Sequence, residues 1–161
     1  MRKPDDKCFV RPAAPTDARE IAALINTAFL VEKFFLDGDR ITAEEVQRLL
    51  DRGSFLLAED PTGLSGCVYF ETDHEHAYLG LLSVSPARQG EGLGRQLVAA
   101  AEDQARQSGC KFMDLRIVNL RIELRPFYRR LGYQEIGISP FPAEVPTKMP
   151  CHFIKMSKSL G

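Results

Sequence analysis

The sequence predicts an α+β fold in three layers, α/β/α, around a mixed and mostly antiparallel sheet. Three observations point to it. Two helical periodicities follow a short first strand, three strands then meander through tight polar turns, and a long amphipathic helix separates the third from the next strand. Strands joined by turns run antiparallel, whereas the strand–helix–strand step at 77–118 needs a parallel crossover. At 161 residues the chain is one domain's length, so a single domain over 1–161 is expected.

Taken in order, residues 8–11 read as the first strand. Asp17 and Glu20 give acidic first-turn character to a helix carrying Ile21, Leu24, Ile25 and Ala28 at helical spacing. Thr42 and Glu45 have the spacing of a capping box and open a second helix through Val46, Leu49 and Leu50, closed by Gly53. Between these helices, residues 29–40 mix phenylalanines with acids and show no clean period. Strands follow at 54–59, 65–72 and 77–84, joined by the turns 60–63 and 73–76. A helix at 93–107 buries Leu93, Leu97, Val98, Ala101 and Ala105 on one face and ends at Gly109. A strand at 112–118, a helix at 122–131 and a strand at 133–138 come next. A loop holding Pro140, Pro142, Pro146 and Pro150 then leads to a last strand at 151–156. Read as an edge strand, 151–156 could pair between subunits into a homodimer.

Composition narrows the function. Hydrophobic content of 44% with 27% charged residues is that of a soluble globular protein. A net charge of −1 argues against a nucleic-acid partner. No apolar run is long enough for a membrane span, and the first residues lack the apolar core of a signal peptide. Cys8, Cys67, Cys110 and Cys151 lie far apart, without metal-binding or disulfide spacing, and read as reduced thiols in the cytoplasm. No metal is expected.

The informative stretch runs from Leu81 to Arg95: a strand, a turn with Gly90, Gly92 and Gly94 on alternate positions, then a long helix. Glycines there let backbone N–H groups converge beside the free donors and positive dipole end of a helix, a nest suited to phosphate or pyrophosphate. Arg88 and Arg95 are mildly unfavourable against that dipole, and an anion would reverse the sign. The plainer reading is a sharp turn with both arginines in solvent; strand, helix and arginines together favour the anion site. The turn is neither a P-loop nor a dinucleotide fingerprint, since no Gly-Lys-Ser/Thr follows and Arg95 stands where a third glycine would be.

Gln89-Gly90-Glu91-Gly92-Leu93-Gly94 resembles the Q/R-x-x-G-x-G/A signature of the GNAT superfamily of N-acetyltransferases. Pro126-Phe127-Tyr128-Arg129-Arg130-Leu131-Gly132-Tyr133 is similar to its second signature. The resemblance implies a GNAT-like fold and an acyl-CoA-dependent N-acetyltransferase using acetyl-CoA as donor. It implies pantetheine against the backbone of Leu82, Ser83 and Val84, and pyrophosphate on Gly90, Glu91, Gly92, Leu93, Gly94 and Arg95, with Gln89 opening the turn. It makes Tyr128 the general acid for the departing thiolate; the alternative is a core tyrosine clustered with Leu131 and Tyr133.

Two positions depart from the family pattern. Arg121 stands where many members have an asparagine, with Asn119 two residues early; either could meet the donor, or Arg121 could bind an acidic part of the acceptor. Tyr78 stands where some members place a glutamate base, which leaves Glu71, His74, His76 or a water chain. The resemblance implies an acceptor pocket from 29–40 and 139–150, where Glu32, Asp37 and Asp39 beside Phe34 and Phe35 could receive a cationic amine or form a solvated loop. The expected acceptor is a small-molecule or peptide amine, attacked directly in a ternary complex. The competing reading is a noncatalytic acyl-CoA-binding module.

Overall fold

The computed structural model describes residues 9–161. The chain runs β1 (Phe9–Pro12), α1 (Ala18–Ala28), α2 (Ala43–Arg52), β2 (Ser54–Asp60), β3 (Gly63–Asp73), β4 (His76–Val84), α3 (Leu93–Gln107), β5 (Phe112–Val118), α4 (Leu124–Arg130), β6 (Gln134–Pro140) and β7 (His152–Ser159). This is the expected element order. Cys8, placed by the sequence reading in the first strand, lies outside the described residues.

All seven strands form one sheet in the order β1-β2-β3-β4-β5-β7-β6. Among the described residues only β4 and β5 run parallel, because α3 carries the chain back across the sheet between them. The strands of the first half are apolar on both faces, as a sheet between two helix layers requires. Leu56, Ala58, Val68 and Phe70 pack with Leu93, Leu97, Val98, Ala101 and Ala105 of α3. Phe55, Leu57, Cys67 and Tyr69 pack with Ile21, Leu24 and Ile25 of α1 and Val46 of α2. The Thr42 hydroxyl accepts from the Glu45 amide at 3.1 Å and donates to the Glu45 carboxylate at 3.1 Å. That cap stabilises the start of α2 by about 1 kcal/mol.

The last strand corrects the sequence reading. β7 begins at His152, not 151, and is not an edge: it pairs antiparallel with β5 on one side and with β6 on the other. The chain passes the second-to-last strand outward and the last one inward, so β1 and β6 are the edges. α4 also starts later than 122, because residues 121–124 make a turn in which the Leu124 amide donates to the Arg121 carbonyl at 3.1 Å. Pro126 is then the third helical residue, where a missing N–H costs little. Among the described residues, no helix is long and apolar enough to cross a membrane.

Candidate functional site

The site starts from a defect in β4. Cys67 stands opposite Ser83 but Tyr69 stands opposite Gly80, so Leu81 and Leu82 together face the single residue Val68. Leu81 takes up the extra length with φ at 55°, a conformation that costs a leucine about 1–2 kcal/mol. The Ser83 hydroxyl braces the bulge by donating to the Leu81 carbonyl at 3.0 Å. Beyond this kink β4 leaves β5. Their ladder covers only His76↔Phe112, Ala77↔Met113 and Tyr78↔Asp114. From Gly80 to Val84 the side of β4 toward β5 therefore has no ladder partner among the described residues. Unpaired N–H and C=O groups there are available to an extended ligand.

The glycine turn follows at once. Gly90 and Gly92 have φ of 84° and 80°, in the left-handed region where only glycine is unstrained, and Gly92 is the N-cap of α3. Leu82, Ser83, Val84, Gln89, Gly90, Gly92, Leu93, Gly94 and Arg95 line one cleft of about 660 Å³, and α4 closes it with Leu124, Phe127, Arg130 and Leu131. Of the site residues expected from the sequence, Glu91 sits in the same turn but does not line the cleft, and Tyr128 lies elsewhere.

The two arginines of the turn differ. Arg95 is exposed in the first turn of α3. Arg88 is largely buried and donates to the carboxylate of Asp60, whose side chain is fully buried. Asp60 also accepts from the Thr62 amide at 2.7 Å, the Thr62 hydroxyl at 2.5 Å and the Ser65 hydroxyl at 2.6 Å. Arg88 thus ties the turn to the β2–β3 hairpin, and its charge is already met. Sequence reasoning missed Arg130, an exposed cation on the cleft wall three residues after Phe127. The helical spacing of Leu124, Phe127 and Leu131 was the signal that could have found it.

A second cavity of about 520 Å³ lies on the α1–α2 side of the sheet. It shares Phe29, Leu82, Arg121 and Leu124 with the first, so the two meet beside the bulge. Tyr78 and Tyr128 line it. Tyr128 is buried, edge-on to Phe127 at 5.0 Å and to Tyr133 at 5.7 Å. Its hydroxyl makes no hydrogen bond to a described residue, yet no buried side-chain polar atom among them lacks a partner. The hydroxyl is therefore the part of Tyr128 that meets the cavity. Burial raises its pKa, opposed by the charge of Arg121 and aided by Tyr78. The neighbouring Tyr133 has the structural role instead: its hydroxyl donates to Glu102 at 2.8 Å, and Lys158 joins the same carboxylate at 2.9 Å.

The segments around 29–40 and 139–150 come together over this cavity. The Lys148 amide donates to the Phe35 carbonyl at 2.9 Å, and its ammonium lies 3.0 Å from the Lys33 carbonyl and 3.1 Å from Asp37. Glu32, Asp37 and Asp39 all line the cavity; Phe35 is fully buried, Phe34 is exposed, and neither is among the lining residues. Glu32 is not free to receive a cation, because Arg121 donates to it at 2.9 Å and also to Glu123 at 2.6 Å. Burial nevertheless raises the Glu32 carboxyl above its ordinary pKa, with Arg121 opposing. Asn119 touches neither cavity; its side chain accepts from the His152 amide at 2.8 Å and closes the end of β5 on β7. Glu71, His74 and His76 are also outside both cavities, engaged respectively with Tyr69, Asp73 and Asp114.

Fold and site together define an α+β protein whose sheet opens between two parallel strands onto a glycine-rich turn at the start of α3. The family model described as "Acetyltransferase (GNAT) family" matches residues 19–133. The chain belongs to that family. Among curated relatives it is similar to the acetyltransferase Atu2258 of Agrobacterium fabrum, 31% identical over 81 residues, which is 50% of this chain and 58% of that protein. It is also similar to an aminoalkylphosphonate N-acetyltransferase of Salmonella typhimurium, 39% identical over 54 residues, 34% of this chain and 35% of that protein. The chain thus spans little more than half of the first relative's length and about a third of the other's. A Salmonella typhimurium structure solved with its cofactor acetyl-CoA shares the fold, with a TM-score of 0.75 at 22% identity over 96% of this chain and 94% of that one.

Proposed function

We propose that the protein transfers an acetyl group from acetyl-CoA to a primary amine, of a small molecule or a peptide, by direct attack with both substrates bound. The observation that carries this reading is the meeting of two cavities at Leu82, one running along an unpaired strand edge to a glycine nest, the other receiving the Tyr128 hydroxyl. The donor's pantetheine amides pair with the backbone of Leu82, Ser83 and Val84 as an added strand would. Its pyrophosphate lies against the N–H groups of residues 90–95, which follow Gln89, with Arg95 and Arg130 supplying positive charge. The amine enters from the second cavity. Its nitrogen bonds to the thioester carbon, the C–S bond breaks, solvent takes the nitrogen's proton, Tyr128 gives its own to the departing sulfur, and solvent returns a proton to the phenolate.

An acyl-cysteine route has less support. Cys67 is fully buried, with its thiol pushed up to about 12, and burial also raises Cys110 and Cys151. A thiolate nucleophile needs the opposite shift. The relative named for an aminoalkylphosphonate supports an amine as acceptor, and the free thiols of Cys67, Cys110 and Cys151 support a cytoplasmic setting. Steady-state release of free thiol from acetyl-CoA across an amine panel tests the reading. Tight CoA binding without thiol release for any amine would favour the acyl-CoA-binding module.

The charge assignment has its own test. An Arg95→Gln, Arg130→Gln double variant should bind CoA about tenfold more weakly at low salt, with a flatter dependence on ionic strength. Equal affinity and an equal salt slope by calorimetry would remove both side chains from the donor site.

A further inference from the structure

The second cavity carries two arginines that the transfer reaction does not use. Helices α1 and α2 pack on the first half of the sheet, and residues of the 29–40 and 139–150 segments line the second cavity together with β5 and β7. Along β5, Leu115 and Ile117 are buried in the core shared with α3 and Arg116 between them is exposed, and all three contribute to the cavity lining. The Arg116 guanidinium lies 4.3 Å from the centre of the Phe153 ring, which is itself stacked at a tilt on Phe141 at 5.1 Å. On the facing loop, Arg40 lies 5.6 Å over the ring of Phe29. Neither arginine has a carboxylate partner among the described residues.

The acids of the same cavity are mostly engaged. Glu32 is held by Arg121, Asp37 by Lys148, and Glu45 by the Thr42 hydroxyl at the start of α2. The Thr42 hydroxyl leaves the Glu45 charge uncancelled, so with Asp39 the lining holds as many carboxylates as cations, and Arg40 and Arg116 are set apart by lacking a carboxylate partner among the described residues rather than by excess charge. A second feature points the same way. In the β5–β7 register Arg116 stands directly opposite Lys155, which puts two cations side by side on one face. Like charges so placed repel. Asp114, the same-face carboxylate one pair along, accepts from Ser157 at 2.6 Å and sits 2.6 Å from His76. An anion beside Arg116 would turn this repulsion into attraction. A guanidinium steadied on an aromatic ring offers a planar fork that matches a carboxylate or phosphonate.

Resting on the transferase reading, we infer that the acceptor is an amine that also carries an anionic group, bound by Arg116 with Arg40 on the opposite wall. The reacting nitrogen then points toward Leu82 and Tyr128, and the anion lies at the outer end of the cavity. The anion is a carboxylate or a phosphonate, and the two are separated by experiment.

The test uses the full chain saturated with CoA, titrated by calorimetry with amino acids of increasing length, their phosphonate counterparts and their neutral amides. The acids, or the phosphonates, should bind about tenfold to a hundredfold more tightly than the matching amides. Arg116→Gln should collapse that ratio toward one, and Arg116→Lys should restore it in part. Amides binding as well as acids and phosphonates, a ratio untouched by Arg116→Gln, or no binding across the panel would each overturn the proposal. Thiol release on the same panel is scored separately. Arg116-dependent binding of anions without turnover would overturn the transfer reading while keeping the anion site.

Discussion

Tyr128→Phe should lower kcat about a hundredfold to ten-thousandfold while leaving CoA affinity nearly unchanged. The size follows from general acid catalysis by a positioned group. The selectivity follows from packing, because the ring stays wedged edge-on between Phe127 and Tyr133 whether or not it carries a hydroxyl. Burial holds the phenol above its ordinary pKa, so it is protonated throughout the neutral range and can donate to a leaving thiolate. The sign matters for the pH profile. Since the shift is upward, no alkaline loss of kcat should arise from this group below the usual tyrosine range. Any basic limb at lower pH would belong to the amine or to another residue. Single-turnover kinetics, with thiol release under conditions where chemistry limits, make the comparison. A folded Phe variant that binds CoA and turns over at the parent rate would remove the assignment.

The fold was legible because its layers follow from periodicity. Helix 93–107 shows a single apolar face, the meander has unmistakable turns, and one helix between two strands forces the parallel step. The last strand was misplaced for a topological reason: its apolar alternation looks the same at an edge as between β5 and β6. The glycine turn was legible in its positions but not in its electrostatics. Arg88 and Arg95 are seven residues apart, equally charged and both on the cleft wall, yet one is sunk against Asp60 and the other is exposed. That difference depends on a hairpin twenty-eight residues upstream of Arg88. The bulge at Leu81 was not legible at all, since nothing in Leu81-Leu82-Ser83 marks a left-handed leucine. The proposed acceptor side was hidden for the same kind of reason. Glu32 looks like a free carboxylate in sequence and is committed to Arg121, eighty-nine residues away, in the fold.

Arg88→Met should destabilise the protein by about 3–5 kcal/mol, the cost of removing one partner from a buried ion pair. The side chain of Asp60 is fully buried, and its three neutral donors from Thr62 and Ser65 do not balance its charge. Against a total stability of roughly 5–15 kcal/mol for a domain, the loss is large. Urea denaturation followed by circular dichroism reads it as a drop in midpoint at an unchanged slope. Asp60→Asn in the Arg88→Met background separates charge from shape. With the carboxylate gone, the remaining arginine loss should cost less, so the double variant should be more stable than the two single effects added together. Additive effects would show that the pair is not coupled. The same change should also weaken CoA binding, since Arg88 fixes the turn that leads into Gly90 and Gly92. That loss should keep the parent's salt dependence, because Arg95 and Arg130 remain. A flattened salt slope in Arg88→Met would instead mean that Arg88 itself faces the donor's phosphates.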